Sequence, residues 1–92
     1  MRLDLFLKQS RLVLRRTVAQ QLCEAGAVTV NDAPAKSSRE VRVGDKLSVK
    51  YHGKITTIRV LQLPTKQMPK SQTASLFEIL GIETYEEDLF GE

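Results

Sequence analysis

Residues 2–32, RLDLFLKQSRLVLRRTVAQQLCEAGAVTVND, constrain the fold of this chain more than any other stretch. Leu3, Phe6 and Leu7 recur at the spacing of one helix face, which predicts a first helix over about 3–9. Asp4 falls in its first turn, where the helix dipole favours an acid. Ser10 and Arg11 interrupt the pattern. Thr17-x-x-Gln20 has the form of a capping box and predicts a second helix starting near Arg16 or Thr17. Its inward face would be Ala19, Leu22 and Cys23, and Gly26 is placed to end it in a left-handed cap. Ala27-Val28-Thr29-Val30 then alternates as a short strand, and Asn31-Asp32 makes a turn.

The rest of the chain reads as sheet followed by a separate tail. Val41-x-Val43 leads into a Gly44-Asp45 turn, and Lys46 to Tyr51 alternates strictly between apolar and polar. His52-Gly53-Lys54 suits a hairpin loop, and Ile55 to Leu63 returns with Ile58 and Val60 inside, and Ile55 a further candidate. Pro64 stops that strand, and the polar stretch after it reads as a linker over 64–73. Ala74 to Leu80 predicts a short amphipathic helix ended by Gly81, with Leu76, Phe77, Ile79 and Leu80 docking on the body or on a partner. Residues 83–92 are expected to fray. The expectation is an α+β fold: a domain at 1–63 with two helices on a short antiparallel sheet, a linker, then a helix and acidic tail at 74–92.

Charge narrows the function. Five cations (Arg2, Lys8, Arg11, Arg15, Arg16) are interleaved with Leu3, Phe6, Leu7, Leu12 and Leu14. Cations on a small rigid helical platform suit a phosphate backbone, because each can neutralise one phosphate and release condensed counterions. The plainer alternative is a solvated helix face. The net charge of +3 hides a strong asymmetry: residues 1–75 hold all 14 Lys and Arg against 5 acids, and residues 76–92 hold 6 acids and no cation. A basic body with an acidic tail suits an anionic macromolecule. Glu83, Glu86, Glu87, Asp88 and Glu92 should then lie away from the nucleic acid or fold back over the empty basic face; a solubilising terminus is the alternative. Lys36, Ser37, Ser38 and Arg39 add hydroxyls and cations in a loop suited to phosphate and 2′-hydroxyl contacts. Tyr51 is the sole aromatic suited to stacking on a base, so recognition should depend on the shape and charge of folded RNA. Arg15 and Arg16 lie outside the apolar faces and are expected to serve binding, not folding. Arg2 has a second option in pairing with Asp4 or Glu24.

Other function classes find little support. The single Cys23 excludes an internal disulfide and any multi-cysteine metal site, and at its spacing it reads as a buried thiol. His52, the only histidine, sits in a turn without an acidic neighbour. No metal-ligand spacing, Gly-rich phosphate loop, membrane-length apolar run or secretory leader is visible. The expectation is a cytoplasmic non-enzyme without a cofactor.

These residues carry a resemblance. Arg2-Leu3-Asp4, Ser10-Arg11, Ala19, Gly26-Ala27-Val28-Thr29-Val30-Asn31 and Val43-Gly44-Asp45-x-Leu47-x-Val49 resemble, in order and spacing, the S4-like RNA-binding domain over about residues 1–62. Asp32 stands where that family more often has glycine, which implies a local change only. The start MRLD-x-FLK-x-SRL, the Arg15-Arg16-Thr17 triplet and a chain ending soon after the domain are similar to the stand-alone RqcP family of bacterial ribosome-associated quality control. The resemblance implies binding to the 23S rRNA of an obstructed large ribosomal subunit and to its peptidyl-tRNA. The tRNA would be held in the P-site while a partner of the RqcH/NEMF class directs C-terminal alanine tailing. It also implies a monomer off the ribosome and a contact set on the helical pair (Arg2, Lys8, Ser10, Arg11, Arg15, Arg16, Thr17, Gln20) and the loop (Lys36, Ser37, Arg39). Heat-shock S4-like proteins that bind large subunits carrying nascent chains are a related alternative, but usually have a longer basic extension, and this tail is acidic. A general RNA chaperone or translational regulator would use the same surface. An appendage to a catalytic domain lacks the length for one.

Overall fold

In the computed structural model the described residues are 1–64 and 68–85, so expectations for Glu86, Glu87, Asp88 and Glu92 lie outside them, as does the middle of the linker. Helix α1 spans Leu3–Gln9 and helix α2 spans Arg16–Glu24. The first free amides of α1 are satisfied by main chain from far along the sequence: Leu3 N–H donates to the Arg39 carbonyl (2.8 Å) and Asp4 N–H to the Ser37 carbonyl (3.1 Å). The expected capping box at the start of α2 does not form. Arg15 is the N-cap residue without a side-chain capping bond, and the Gln20 amide is committed elsewhere, to Asp4. The far end follows expectation. Gly26, at φ +74°, lets its own N–H reach the Cys23 carbonyl and that of Ala27 reach Leu22, the paired bonds of a Schellman cap.

Five antiparallel strands follow: β1 (Val28–Val30), β2 (Ala33–Pro34), β3 (Lys46–Tyr51), β4 (Lys54–Val60) and β5 (Phe77–Thr84), in spatial order β2-β1-β3-β4-β5. Two tight turns set the registers. His52-Gly53 joins β3 to β4 and Asn31-Asp32 joins β1 to β2, all four residues having positive φ as hairpin turns of this length require. Asn31 also links its turn to the Gly44-Asp45 turn, accepting from Lys46 N–H (3.0 Å) and donating to the Asp45 carboxylate (3.2 Å). Asp32 carries left-handed strain at φ +70°, partly offset by an exposed ion pair with Lys46 (2.8 Å). Asp32→Gly should therefore raise stability by about 0.5 kcal/mol, the relief of strain exceeding the lost surface pair. Chemical denaturation with an unchanged m-value and a higher midpoint would register it.

The core gathers Leu3, Phe6 and Leu7 from α1, Ala19 and Cys23 from α2, and the inward residues Val28, Val30, Leu47, Val49, Ile58 and Val60 of the sheet. Ile55, the further candidate, is only half-buried. The C-terminal segment departs from the sequence reading. In place of a helix over 74–80, a 3-10 turn covers Lys70–Leu76, and Phe77–Thr84 runs as a strand along β4. A helix of seven residues is marginal in water. The open edge of β4, by contrast, offers a full ladder, and Phe77-Glu78-Ile79 alternates with the period of a strand. Of the expected docking residues, Leu76 enters the core and Phe77 packs half-buried against it, whereas Ile79 and Leu80 stay exposed. Gly81 sits in the strand next to a register shift, not at a helix end.

Candidate nucleic-acid interface

Asp4 is the hub of the helical pair. Its side chain is fully buried, yet its carboxylate accepts from Gln20 Nε2 (2.8 Å), Leu5 N–H (2.8 Å), Arg16 Nε (3.1 Å) and Arg2 Nε (3.2 Å). Burial alone would raise the carboxyl's pKa. The donors from Gln20, Arg2, Arg16 and Leu5 outweigh it and hold the value down at about 2. Arg2 and Arg16 nevertheless keep 49% and 44% of their side chains exposed, so each is anchored at one end and open to a ligand along the rest. One carboxylate thus fixes two guanidinium groups from different helices and holds them at a set spacing, at little further entropic cost on binding.

The same framework brings in the loop. Because Ser37 and Arg39 supply carbonyls to the start of α1, Lys36, Ser37 and Arg39 are carried to the end of the helix where Arg2 sits. Glu40 holds the N-terminal amine at 2.8 Å, an exposed contact that lowers the pKa of Glu40. Lys8, Arg11, Arg15, Lys36 and Arg39 are exposed and make no ion pair among the described residues. Arg11 is held at φ +65° just after α1, an unfavourable conformation for arginine of the kind that gathers at functional sites. Its neighbour Val13 is buried and donates its N–H to the Leu7 carbonyl, which fixes this connection.

Two of the expected contacts are placed otherwise. Ser10 is buried and its hydroxyl donates to the Leu7 carbonyl (3.2 Å), so it shapes the end of α1 and presents nothing at the surface. Gln20 is half-buried, with its amide donating to Asp4. Thr17 is exposed on the first turn of α2. Tyr51 is half-buried with its ring against His52, centroids 3.9 Å apart. Cys23 is buried and its thiol is pushed up to about 11, first by burial and then by the Asp4 charge, which leaves it unreactive at neutral pH. Sequence reasoning missed the organising role of Asp4; its signal was a short-chain acid within an otherwise apolar helix face, two residues from Arg2, while Arg16, twelve residues on, gave no local sign. Leu14, counted there in the apolar set, is instead 70% exposed beside Arg15.

The S4 domain model matches residues 1–47, the span from α1 to the start of β3 that holds these groups. Proteins called RQC P-site tRNA stabilizing factor are similar over nearly their whole length. That from Bacillus subtilis is 40% identical over 80 residues (87% of this chain, 92% of the relative). That from Streptococcus pneumoniae is 35% identical over 89 residues (97% and 100%), and one from Helicobacter pylori 43% over 74 residues (79% and 88%). The chain belongs to this family of S4-domain proteins. Among solved structures, that of a hypothetical protein in solution is 38% identical with a TM-score of 0.72, covering 94% of this chain and 100% of its own. The trimeric heat shock protein 15 of Vibrio cholerae has a TM-score of 0.79 at 24% identity, covering 86% and 80%, a likeness of fold alone. An S4 domain fills the chain's described helices and first strands, which places this family member among RNA-binding proteins.

Proposed function

We propose that this chain binds 23S rRNA of an obstructed large ribosomal subunit together with the peptidyl-tRNA. There it stabilises the tRNA in the P-site during ribosome-associated quality control and C-terminal alanine tailing. The observation that carries the reading is the surface built around Asp4: Arg2 and Arg16 fixed by one buried carboxylate, with Lys8, Arg11, Arg15, Lys36 and Arg39 exposed on the helical pair and its loop and in no ion pair among the described residues. Such a surface reads the phosphate spacing of folded RNA rather than base identity. The family supports the specific target, since its members from several bacteria bear the name P-site tRNA stabilizing factor. The protein acts in the cytoplasm as a monomer off the ribosome and shares the particle with an RqcH/NEMF-class protein. No chemistry is required of it.

Sedimentation with purified large subunits tests the proposal. The protein should pellet with subunits carrying peptidyl-tRNA more completely than with empty ones, and pelleting should fall steeply as salt rises, because each phosphate contact releases counterions. Equal recovery with unrelated structured RNA would instead favour a general chaperone, and recovery with neither particle would end the proposal.

A further inference from the structure

Strand β5 leaves its outer edge open. It pairs with β4 on one side and, among the described residues, terminates the five-stranded sheet on the other, so alternate residues of an eight-residue strand direct their main-chain donors and acceptors outward. Natural sheets blunt such edges with lysine, proline, very short strands, charges or bulges; β5 has no lysine or proline and is eight residues long, and only Glu78, Glu83 and the register shift beside Gly81 guard it. Its side chains are equally unusual. Ile79, Leu80 and Ile82 are 56%, 44% and 53% exposed, a concentration of large apolar groups on one strand. Ile79 lies directly opposite the buried Ile58 and Ile82 opposite Thr56, so both point to the inner side of the sheet, beyond the cover of the helices. Thr56 in turn lines a groove of mixed character with Leu12, Leu14, Tyr51, His52 and Lys54, which reaches towards the α1–α2 connection.

The outer side of β5 has a definite sign. Glu78 and Glu83 lie opposite Arg59 and Ile55, and neither acid makes an ion pair among the described residues. Arg59 turns its guanidinium to the Gly44 carbonyl (2.9 Å) and leaves Glu78 unmatched. Residues 76–92 contain six acids and no cation, whereas the α1–α2 surface is basic. With Arg59 and Lys50 beside it, this edge is mixed in charge and suits RNA less than the basic α1–α2 surface does. A second copy paired antiparallel about Leu80–Gly81 would set Glu78 against Glu83, like charges directly opposed. The chain's own next segment, with Glu86, Glu87 and Asp88, also has the wrong sign.

We propose that the free edge of β5 is a docking edge for an extended segment of a partner protein whose side chains alternate apolar and cationic. The segment adds a strand to the sheet. Main-chain hydrogen bonds supply affinity; its apolar residues cover Ile79 and Ile82 on the inner side, and its cations meet Glu78 and Glu83 on the outer side. The partner and RNA would use different residues, Glu78 to Thr84 on one side and the cations of the helical pair and its loop on the other, so the edge stands or falls independently of the RNA reading.

The test uses the full chain labelled with nitrogen-15 and a nine-residue capped peptide in which lysine alternates with valine and threonine. A peptide with glutamate in place of lysine is the control. The basic peptide should shift the amides of Glu78 to Thr84 and leave those of α1 and α2 unmoved, and the acidic one should bind at least tenfold more weakly. The double variant Glu78→Lys/Glu83→Lys, whose folding its own spectrum reports, should reverse that preference. Equal binding of the two peptides, or shifts confined to the helices, would overturn the proposal. So would β5 shifts that grow with protein concentration alone, which would assign the edge to a second copy, or β5 shifts on adding RNA.

Discussion

Asp4→Asn should lower stability by about 2–3 kcal/mol, or roughly 10–20 °C in melting temperature for a domain of this size. The parent carboxylate is buried and accepts from Arg2, Arg16, Gln20 and the Leu5 amide. An asparagine offers one acceptor oxygen and turns an NH2 group towards donors, so at least one buried contact becomes donor against donor. The pH dependence gives a second reading of the same group. The carboxyl's pKa falls from an ordinary 3.8 to about 2 in the folded state, so the folded form holds the negative charge more readily than the unfolded chain. Its contribution is therefore present above about pH 4 and is lost as pH falls towards 2; it amounts to about 2 kcal/mol. The parent should lose stability over that window, and the asparagine variant should lack this component. Thermal melts from pH 2 to 7 decide it: parallel curves for the two proteins would remove Asp4 from its role as anchor.

Lys8→Ala/Arg11→Ala/Arg15→Ala should have the largest effect on binding. None of the three makes an ion pair among the described residues, and all are exposed, so the fold should be little affected. If each neutralises one phosphate, the slope of log affinity against log salt should become shallower by about 3, and affinity at 0.1 M salt should fall on the order of 10²–10³-fold. Arg16→Ala should behave differently from Arg15→Ala. From sequence the two are equivalent; in the fold Arg16 is bonded to Asp4 at 3.1 Å, so its loss lowers both stability and affinity, whereas loss of Arg15 lowers affinity alone. A fluorescence titration across salt concentrations, with melts alongside, separates the two outcomes. An unchanged slope in the triple variant would move the interface off this surface.

Much of the architecture was legible because its signals are local. The spacing of Leu3, Phe6 and Leu7 defines a helix face whatever it packs on, Gly26 closes α2 through its own backbone freedom, and His52-Gly53 closes a hairpin between alternating strands. The asymmetry of charge pointed to an anionic partner without reference to any contact. What the tertiary structure decided is which groups share those local features. Asp4 and Gln20 lie sixteen residues apart, and only the crossing of two helices reveals that the amide serves a buried carboxylate and not a capping box. Ser10 reads as a surface hydroxyl until the turn at Arg11 buries it. The segment at Phe77 is ambiguous in isolation, since a short apolar run fits either period; the unpaired edge of β4 resolves it by supplying main-chain partners that a lone helix turn cannot match. Local periodicity sets which elements can form, but the satisfaction of buried charges and open edges depends on residues far apart in the chain, and those are settled only when the chain closes on itself.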